Sequence, residues 1–348
     1  MDAKTKKQVT IRDVASRAGV SFKTVSRVVN GEPYVREETR QKVLRAVESL
    51  NFKVNGAARA LRSKTAKRLV LGLNNPSQSY TEAVQVNAVL ACQPFGFELS
   101  LQGRIDIEIL KTARLSGELV GVILVPPLCD DAVLIERLEA EGIPCVRLGA
   151  QSAAGRSDRV GIDDRTAAAD MTRYLVSLGH RRIGFVGGEQ SVSASESRLL
   201  GYHDALSQSG TPADPALVVY GDFSYASGLA GVEALLSLQA PPTAIFASND
   251  EMAAACLAGA YRRGLRVPEM LSVAGFDDAP FSRIISPSLT TVRQPIDEMM
   301  AQAVAILAQR RSAPSAPLRD VIIDHTLVIR ESSSAHCSGG DAGKTGSA

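Results

Sequence analysis

The stretch that decides the fold of the amino-terminal region reads Val20-Ser-Phe-Lys-Thr-Val-Ser-Arg-Val-Val-Asn-Gly31. Ser21 is a favourable N-cap, because its side-chain oxygen can accept a hydrogen bond from the first helical turn, and the closing Asn-Gly pair is a stop signal. We therefore predict a short helix from about Phe22 to Val29. At helical spacing its valines share one face, which suits a core. The other face carries hydrogen-bonding and stacking groups for a partner: Phe22, Lys23, Ser26 and Arg27.

Two further helices are predicted around this stretch. Thr10 and Asp13 have the spacing of a capping box, so a helix begins at about Ile11, and Gly19 ends it. After the stretch, a helix from about Glu37 to Asn51 has apolar residues at i, i+3, i+4 and i+7 and two glutamates in its first turn. Two short helices joined by a turn of about three residues, with a third helix beside them, indicate a helix-turn-helix domain.

Charge is distributed unevenly along the chain. Residues 1–67 hold 16 Lys and Arg against 6 Asp and Glu, a net charge of +10, whereas the remaining 281 residues hold 23 against 31, a net charge of −8. A basic head on an acidic body is expected of a module that binds a polyanion and is joined to a control domain, because Lys and Arg contacts to phosphates release condensed counterions. The alternative, a solvated basic tail, does not account for the apolar periodicity of the same segment.

The bulk composition excludes several classes of protein. The chain has 348 residues, 45% of them hydrophobic and 22% charged, which is typical of soluble globular proteins with about two or three domains. Apolar runs such as 119–128 are much shorter than the roughly 20 residues of a membrane span, and the N-terminus lacks an apolar signal-peptide core. We therefore expect a cytoplasmic, nucleoid-associated protein without membrane contact. The five cysteines lack metal-ligand spacing, so we expect reduced thiols and neither a metal nor a cofactor.

Residues 11 to 31, which read Ile-Arg-Asp-Val-Ala-Ser-Arg-Ala-Gly-Val-Ser-Phe-Lys-Thr-Val-Ser-Arg-Val-Val-Asn-Gly, resemble the DNA-binding signature of the lactose/galactose repressor family. The alanine between the two helices, the Val-Ser turn and the Thr-Val-Ser-Arg-Val core all match. The resemblance implies that bases in the major groove are read by Phe22, Lys23, Ser26 and Arg27. It implies phosphate contacts from Ser21, Thr24 and Thr39, and Ser26 is also placed for a phosphate. By residue type alone, Phe22 could instead be a core aromatic.

The next segment, residues 53–67, resembles the hinge helix of the same family. In that family the helix folds on the operator, pairs with its twin in the dimer and wedges a leucine into the minor groove. The resemblance assigns the wedge to Leu61 and close packing to Ala58, with Asn55, Arg59 and Arg62 flanking the groove. Val54 stands where the family usually has Pro, and Gly56 lowers helix propensity by up to about 1 kcal/mol relative to Ala, so we expect a flexible free hinge. The alternative is a simple linker.

From residue 68 to about residue 330, short apolar runs alternate with amphipathic segments, which predicts parallel α/β sheets. The runs predicted as strands are 69–73, 98–101, 120–125, 145–148, 183–187, 217–220, 244–247 and 271–276. This length exceeds what one such sheet usually fills, so we expect two lobes. The resemblance implies the same body, like a periplasmic sugar-binding protein of type I, with crossovers near Ile162, Thr290 and Val321. The amino lobe would comprise 68–162 and 292–320, and the carboxyl lobe 163–290 and 321–330.

Candidate ligand residues follow the predicted strands, because ligands of open α/β sheets bind beyond the carboxyl ends of the strands. Carboxylates, amides, a guanidinium and aromatic rings are the groups that recognise a polyol. Position alone selects Asn75, Tyr80 and Asp163. The residues that combine this position with a resemblance to the family's effector contacts are Arg198, Phe223, Asn249, Asp277 and Gln294. Asp250 and Asp278 either touch a ligand or cap the following helices, and Asp163 could brace a crossover instead.

The remaining segment, 331–348, is rich in Ser, Gly and Ala and is predicted to be disordered. With residues 1–52 as the DNA-binding domain, the chain is predicted to be a homodimeric repressor of carbohydrate genes, released from a pseudo-palindromic operator by a small sugar inducer. The alternatives are a co-repressor-dependent regulator that binds a purine or another metabolite, a sugar receptor, and an enzyme on an α/β scaffold. We expect no enzyme, because the sequence shows no catalytic motif.

Overall fold

A computed structural model of the chain describes residues 10–29, 35–50, 67–151 and 157–336. By its internal contacts the chain divides into two units, residues 1–63 and residues 64–348. The residues predicted to form the hinge contacts lie outside the described residues: Asn55, Ala58, Arg59, Leu61 and Arg62.

The first unit contains the helices α1 (Ile11–Ala18), α2 (Phe22–Val29) and α3 (Glu37–Ser49). The helices α1 and α2 have the predicted bounds, and α3 ends two residues before the predicted end. Their shared core is apolar and buried, and it is formed by Val14, Ala15, Val25, Val28, Val43 and Ala46. The predicted helix-turn-helix is confirmed.

Local hydrogen bonds explain where the first two helices begin and end. The backbone N–H of Asp13 donates to Thr10 Oγ1, and the backbone N–H of Thr10 donates to the Asp13 carboxylate at 2.7 Å. Gly19 ends α1 with a φ of 64°, a left-handed conformation that glycine adopts without steric cost. At the start of α2, the N–H of Thr24 donates to Ser21 Oγ at 3.1 Å, which makes Ser21 the predicted cap.

The second unit alternates strands and helices. Its strands are β1 (Arg68–Gly72), β2 (Glu98–Gln102), β3 (Leu119–Leu124), β4 (Cys145–Leu148), β5 (Asp158–Gly161), β6 (Ile183–Gly187), β7 (Val218–Tyr220), β8 (Ala244–Ala247), β9 (Ser272–Asp277), β10 (Thr290–Arg293), β11 (Asp320–Ile322) and β12 (Thr326–Val328). Its helices are α4 (Gln78–Cys92), α5 (Ile107–Leu115), α6 (Ala132–Ala140), α7 (Asp164–Ser177), α8 (Ser193–Gln208), α9 (Tyr225–Leu236), α10 (Asp250–Arg262) and α11 (Ile296–Ser312). No helix in the described ranges is long and apolar enough to cross a membrane.

The strands of the second unit form two sheets, one in each lobe. The amino-lobe sheet has the order β11-β5-β4-β3-β1-β2, with parallel pairs throughout. The carboxyl-lobe sheet has the order β12-β10-β9-β8-β6-β7 and is parallel except for the edge pair β10–β12. All six residues of β3 are buried, as expected for a strand whose sheet is covered on both faces. The predicted two-lobe α/β body is confirmed.

The chain crosses between the lobes after β5, after β10 and after β11. The first crossover, at residues 162–163, lies where it was predicted. The second follows β10 at residues 294–295, because Thr290 still pairs with β9 in the carboxyl lobe. The third, at residues 323–325, follows β11, because Val321 pairs with β5 in the amino lobe. The predicted boundaries at Thr290 and Val321 therefore shift a few residues towards the C-terminus.

Part of the segment predicted to be disordered, residues 331–336, is ordered. The N–H of Val273 donates to the carbonyl of Ser332 at 2.8 Å, and the N–H of Ser332 donates to the carbonyl of Ser288 at 2.9 Å. The side chain of Ser332 is fully buried. Residues 331–336 therefore pack onto the carboxyl-lobe sheet, and residues 337–348 lie outside the described residues.

Candidate functional site

The outer face of α2 carries the residues predicted to read DNA bases. Phe22 is 44% exposed, and Lys23 and Arg27 are also exposed, whereas Val25 and Val28 are buried in the core of the three helices. Phe22 is therefore not a core aromatic. A ring, an ammonium group and a guanidinium group on one exposed face can contact base edges in a major groove.

The hydroxyl residues predicted to contact phosphates lie in the first turns of α2 and α3. Ser21 Oγ and Thr24 Oγ1 are 2.9 Å apart, and Thr39 is half-buried in the first turn of α3. Ser26 is half-buried one turn into α2. Helix N-termini favour anions through their free N–H groups and their dipole, so Ser21, Thr24 and Thr39 stand where a phosphate can be bound.

A cleft lies between the two lobes. The residues that line it follow the carboxyl ends of parallel strands, which meet at one edge of each sheet. The amino lobe contributes Asn75, Ser77, Tyr80, Pro126 and Gly149. The carboxyl lobe and its crossovers contribute Asp164, Val192, Ala194, Arg198, Phe223, Asn249, Asp277 and Gln294.

Arg198 of α8 is the cation of this cleft among the described residues that line it. Its Nε donates to the carboxylate of Asp164 at 2.6 Å, its Nη1 donates to the carbonyl of Ser248, and its guanidinium lies 3.7 Å from the ring centre of Phe276. Arg198 is only 5% exposed and Asp164 only 2%. The pair is thus fixed in direction and largely removed from water, which strengthens its electrostatic interaction.

Asp277 is the second carboxylate of the cleft. One of its oxygens accepts a hydrogen bond from Gln294 Nε2 at 2.6 Å. Its φ of 115° lies where residues with a Cβ rarely occur, so the backbone is strained at a residue that lines the cleft. Burial raises the pKa of Asp277 to about 7, although the nearby Arg198 and the hydrogen bond from Gln294 both lower it.

Phe223 and Asn249 are held against each other on the carboxyl-lobe side. Asn249 Nδ2 donates to the carbonyl of Phe223 at 2.8 Å, and Asn249 Oδ1 accepts from the N–H of Met252 as the cap of α10. Phe223 has a φ of 68°, and its ring occupies space that a side chain at Gly188 would need, since a Cβ there would lie 2.1 Å from Phe223 Cζ. The residue lines the cleft.

The described residues that line the amino-lobe side of the cleft are uncharged. Asn75 Nδ2 donates to the carbonyl of Pro126 at 3.0 Å, and Asn75 Oδ1 accepts from the N–H of Ser77. Tyr80 is buried in the first turn of α4, and burial raises its pKa far above the usual value, so it stays a neutral phenol. This wall offers amide and hydroxyl groups to a ligand.

Two carboxylates join the lobes beside the cleft. Glu251 of α10 accepts from the N–H of Ser79 at 2.7 Å, from Ser79 Oγ at 2.9 Å and from Ser77 Oγ at 3.2 Å. Asp130 of the amino lobe accepts from the N–H and the hydroxyl of Ser193 at the start of α8. Each carboxylate therefore lies at the N-terminus of a helix of the other lobe, where the helix dipole favours a negative charge.

Comparison with known proteins assigns the chain to a family. The family model of bacterial regulatory proteins, lacI family, matches residues 10–55, and that of the periplasmic binding protein-like domain matches residues 172–333. Catabolite control protein A of Priestia megaterium is 34% identical over 331 residues, which cover 93% of this chain and 99% of that protein. The chain belongs to the lacI family.

Solved structures agree with this assignment. The transcriptional regulator CelR–cellobiose complex superposes with a TM-score of 0.69 at 30% identity, over 93% of this chain and 100% of that one. The lac repressor dimer bound to operator and the anti-inducer ONPF superposes with a TM-score of 0.68 at 28% identity, over 94% and 100% of the two chains. The helix-turn-helix head and the two-lobe body are therefore those of lacI-family regulators.

The cleft of this lacI-family protein brings together most of the residues predicted to bind an effector. Those that line it are Asn75, Tyr80, Arg198, Phe223, Asn249, Asp277 and Gln294. Asp163 is the exception. It is exposed and caps α7 by accepting from the N–H of Thr166 at 3.0 Å, and its neighbour Asp164 supplies the carboxylate of the cleft. The carboxylate that was predicted at residue 163 is therefore supplied to the cleft by residue 164.

Asp250 and Asp278, for which a ligand contact or a helix cap was expected, have other roles. Asp250 is fully buried and accepts from the N–H of Ala279 and from Thr291 Oγ1. Asp278 accepts from three guanidinium groups, those of Arg283, Arg293 and Arg330. Both carboxylates thus brace the loop between β9 and β10, and neither lines the cleft.

The sequence did not point to several residues of the cleft region. Those that line the cleft are Ser77, Pro126, Gly149, Asp164, Val192 and Ala194. Glu251 and Asp130 bridge the lobes, and Phe276 lies under the guanidinium of Arg198. Asp164 was within reach of sequence reasoning, because it directly follows a crossover strand beside a second aspartate. The others have residue types that carry no signal by themselves.

Proposed function

We propose that the protein is a sequence-specific repressor of carbohydrate uptake or catabolism genes, and that a small sugar bound in the inter-lobe cleft releases it from its operator. The observation that carries the proposal is that both lobes line a single polar cleft in a chain with a lacI-family head. A ligand that touches both lobes favours one lobe arrangement over another, which is the requirement for a population shift.

The cleft has the groups that a sugar needs. Asn249 and Gln294 offer amides, Asp277 offers a carboxylate and Phe223 offers an aromatic ring. Planar polar groups pair with hydroxyls, and a ring covers the apolar face of the pyranose. The CelR structure named above contains cellobiose, which supports a carbohydrate in the cleft of the present protein.

At the other end of the chain, we propose that Phe22, Lys23 and Arg27 read bases and that Ser21, Thr24 and Thr39 bind phosphates. We keep Leu61 as the minor-groove wedge, with Ala58 at the close contact and with Asn55, Arg59 and Arg62 beside the groove. The lac repressor structure named above is a dimer on its operator, which supports a homodimer here. A regulator of this kind works in the cytoplasm, with the DNA, and we propose no catalytic activity.

The switch follows from these parts. A sugar that favours one lobe arrangement by about 1–3 kcal/mol would change the spacing of the two amino lobes in the dimer and lower operator affinity by roughly 5- to 150-fold. Because the coupling is reciprocal, operator DNA would weaken sugar binding by the same factor.

The experiment is selection of an operator from random DNA, followed by fluorescence anisotropy with and without sugars. We expect a pseudo-palindromic site whose affinity falls when the inducer is added. Lys23→Ala should cost about 1–3 kcal/mol at one base pair of each half-site and relax the preference there. A metabolite that strengthens operator binding would establish the co-repressor alternative, and turnover of any bound sugar would contradict the absence of catalysis.

A further inference from the structure

The described lining of the cleft has more acidic than basic side chains. Among the described residues that line it, the ionisable groups are Asp164, Asp277, Arg198 and the neutral phenol of Tyr80. Above pH 7, where Asp277 is ionised, these groups carry a net charge of −1. Burial raises the pKa of both carboxylates, because a buried site stabilises a negative charge less than water does.

The guanidinium of Arg198 already has partners within the protein. Its Nε edge is taken by Asp164 at 2.6 Å, its Nη1 donates to the carbonyl of Ser248, and one face of the plane is covered by Phe276 at 3.7 Å. Recognition of a carboxylate or a phosphate usually requires two parallel N–H groups of a guanidinium. The edge that would present such a pair through Nε is occupied by a residue of the protein.

The unmatched group is Asp277. It accepts a hydrogen bond from the neutral amide of Gln294, and it makes no ion pair within the described chain. A further carboxylate, Glu251, lies at the lip of the cleft and accepts only from Ser77 and Ser79 among the described residues. A ligand in the cleft therefore meets one carboxylate, Asp277, that forms no ion pair among the described residues, although Arg198 lies close enough to lower its pKa.

We propose that this cleft selects its effector by charge: it takes an uncharged sugar or an amino sugar, with a hydroxyl or ammonium donor on Asp277, and it rejects uronic acids and sugar phosphates. The inference rests on the proposed function, since it specifies the class of sugar for the same site. A buried negative charge repels an anion strongly, because the surroundings screen it less than water does. A hydroxyl donates to the carboxylate at no such cost, and an ammonium group forms an ion pair with it.

The test is calorimetric titration of the full chain with sugars in matched sets at pH 8, above the pKa of about 7 of Asp277. Each set contains a neutral hexose, its 6-carboxylic acid, its 6-phosphate and its 2-amino derivative, in the gluco, galacto and manno series. In any set whose neutral member binds, we expect the acid and the phosphate to bind at least tenfold more weakly, and the amino sugar to bind more tightly than the acid. An acid or a phosphate that binds as tightly as its neutral parent would overturn the charge selection and leave the carbohydrate function standing.

A pair of variants assigns the selection to one side chain. Asp277→Asn keeps the shape and removes the charge, so the ratio of acid to neutral dissociation constants should fall at least fivefold. Asp163→Asn is the matched control, because Asp163 is exposed and outside the cleft, and it should leave the ratio unchanged. An unchanged ratio in Asp277→Asn would overturn the assignment. If no member of any set binds to the wild-type chain, the carbohydrate function itself fails, and the charge selection fails with it.

Discussion

Replacing Arg198 with Met should destabilise the body far more than replacing any exposed arginine. The substitution leaves Asp164, which is 2% exposed, without its ion-pair partner at 2.6 Å, although the amide of Gln151 still donates to it. Leaving one member of a buried pair uncompensated costs about 3–5 kcal/mol. Loss of the guanidinium from the Phe276 ring adds about 0.5–2 kcal/mol. We therefore expect a total loss of roughly 4 kcal/mol or more.

A control pair with the same Nε–oxygen distance and different burial joins the same two helices, α7 and α8. Arg165 pairs with Asp204 at the same 2.6 Å, but the two side chains are 54% and 36% exposed. Because water screens this pair, Arg165→Met should cost no more than about 1 kcal/mol. Urea unfolding followed by far-UV circular dichroism measures both variants in the same buffer. Equal losses for the two variants would refute the reasoning from burial.

The cost of Arg198→Met should also depend on pH. The guanidinium lowers the pKa of Asp164, whose burial raises it, so without Arg198 that pKa rises further. Acid then neutralises the orphaned carboxylate, and the loss of stability should be smaller at pH 5 than at pH 8. The double variant Arg198→Met/Asp164→Leu should recover a large part of the loss at pH 8, since it removes both charges. A loss that is independent of pH would show that packing, and not charge, is the main effect.

Three further predictions concern the helix packing, the lobe contact and the second carboxylate. Gly201→Ala should cost about 1–3 kcal/mol in urea unfolding, because its Cβ would lie 2.1 Å from a carbonyl of α7, whereas Gly103→Ala meets nothing closer than 3.7 Å and should be nearly neutral. Glu251→Gln should weaken the contact between the lobes by about 1 kcal/mol and raise the calorimetric Kd of the effector roughly fivefold, while the control Glu196→Gln, at an exposed residue in the first turn of α8, leaves it unchanged. Burial raises the pKa of Asp277 from 3.8 to about 7, so the folded state holds a proton that the unfolded chain has lost, and stability from this group falls as pH rises through that window. Asp277→Asn should remove that fall, and an unchanged pH profile between pH 4 and pH 7 would contradict the raised pKa.

Sequence alone was sufficient for the head, because its determinants are local. The capping box at Thr10, the left-handed Gly19 and the cap at Ser21 act within a few residues, and they fix the bounds of α1 and α2. The burial of Val25 and Val28 follows from helical spacing, and so does the exposure of Phe22. The strand positions of the body are predictable for a similar reason, since buried parallel strands are short apolar runs.

The cleft was predictable as a region and not residue by residue. The rule that ligands bind beyond parallel strands selects the loops, and it found Arg198, Asp277 and Asn249. It does not distinguish Asp163 from Asp164. Asp163 caps α7. Asp164 is the next residue, in the first turn of that helix, and its carboxylate contacts Arg198 in the cleft.

Only the tertiary structure decided the contacts that join distant parts of the chain. Glu251 meets Ser79 from 172 residues away, and Asp130 meets Ser193 from 63 residues away. The same holds for Ser332, whose segment was expected to be disordered and instead hydrogen-bonds to Val273 along the carboxyl-lobe sheet. Composition and spacing report local preferences, whereas these partners depend on how the two lobes pack and on which backbone groups the neighbouring strands leave unpaired. The sequence therefore determined the elements and the region of the site, and the packing of the two lobes determined which side chains meet in it.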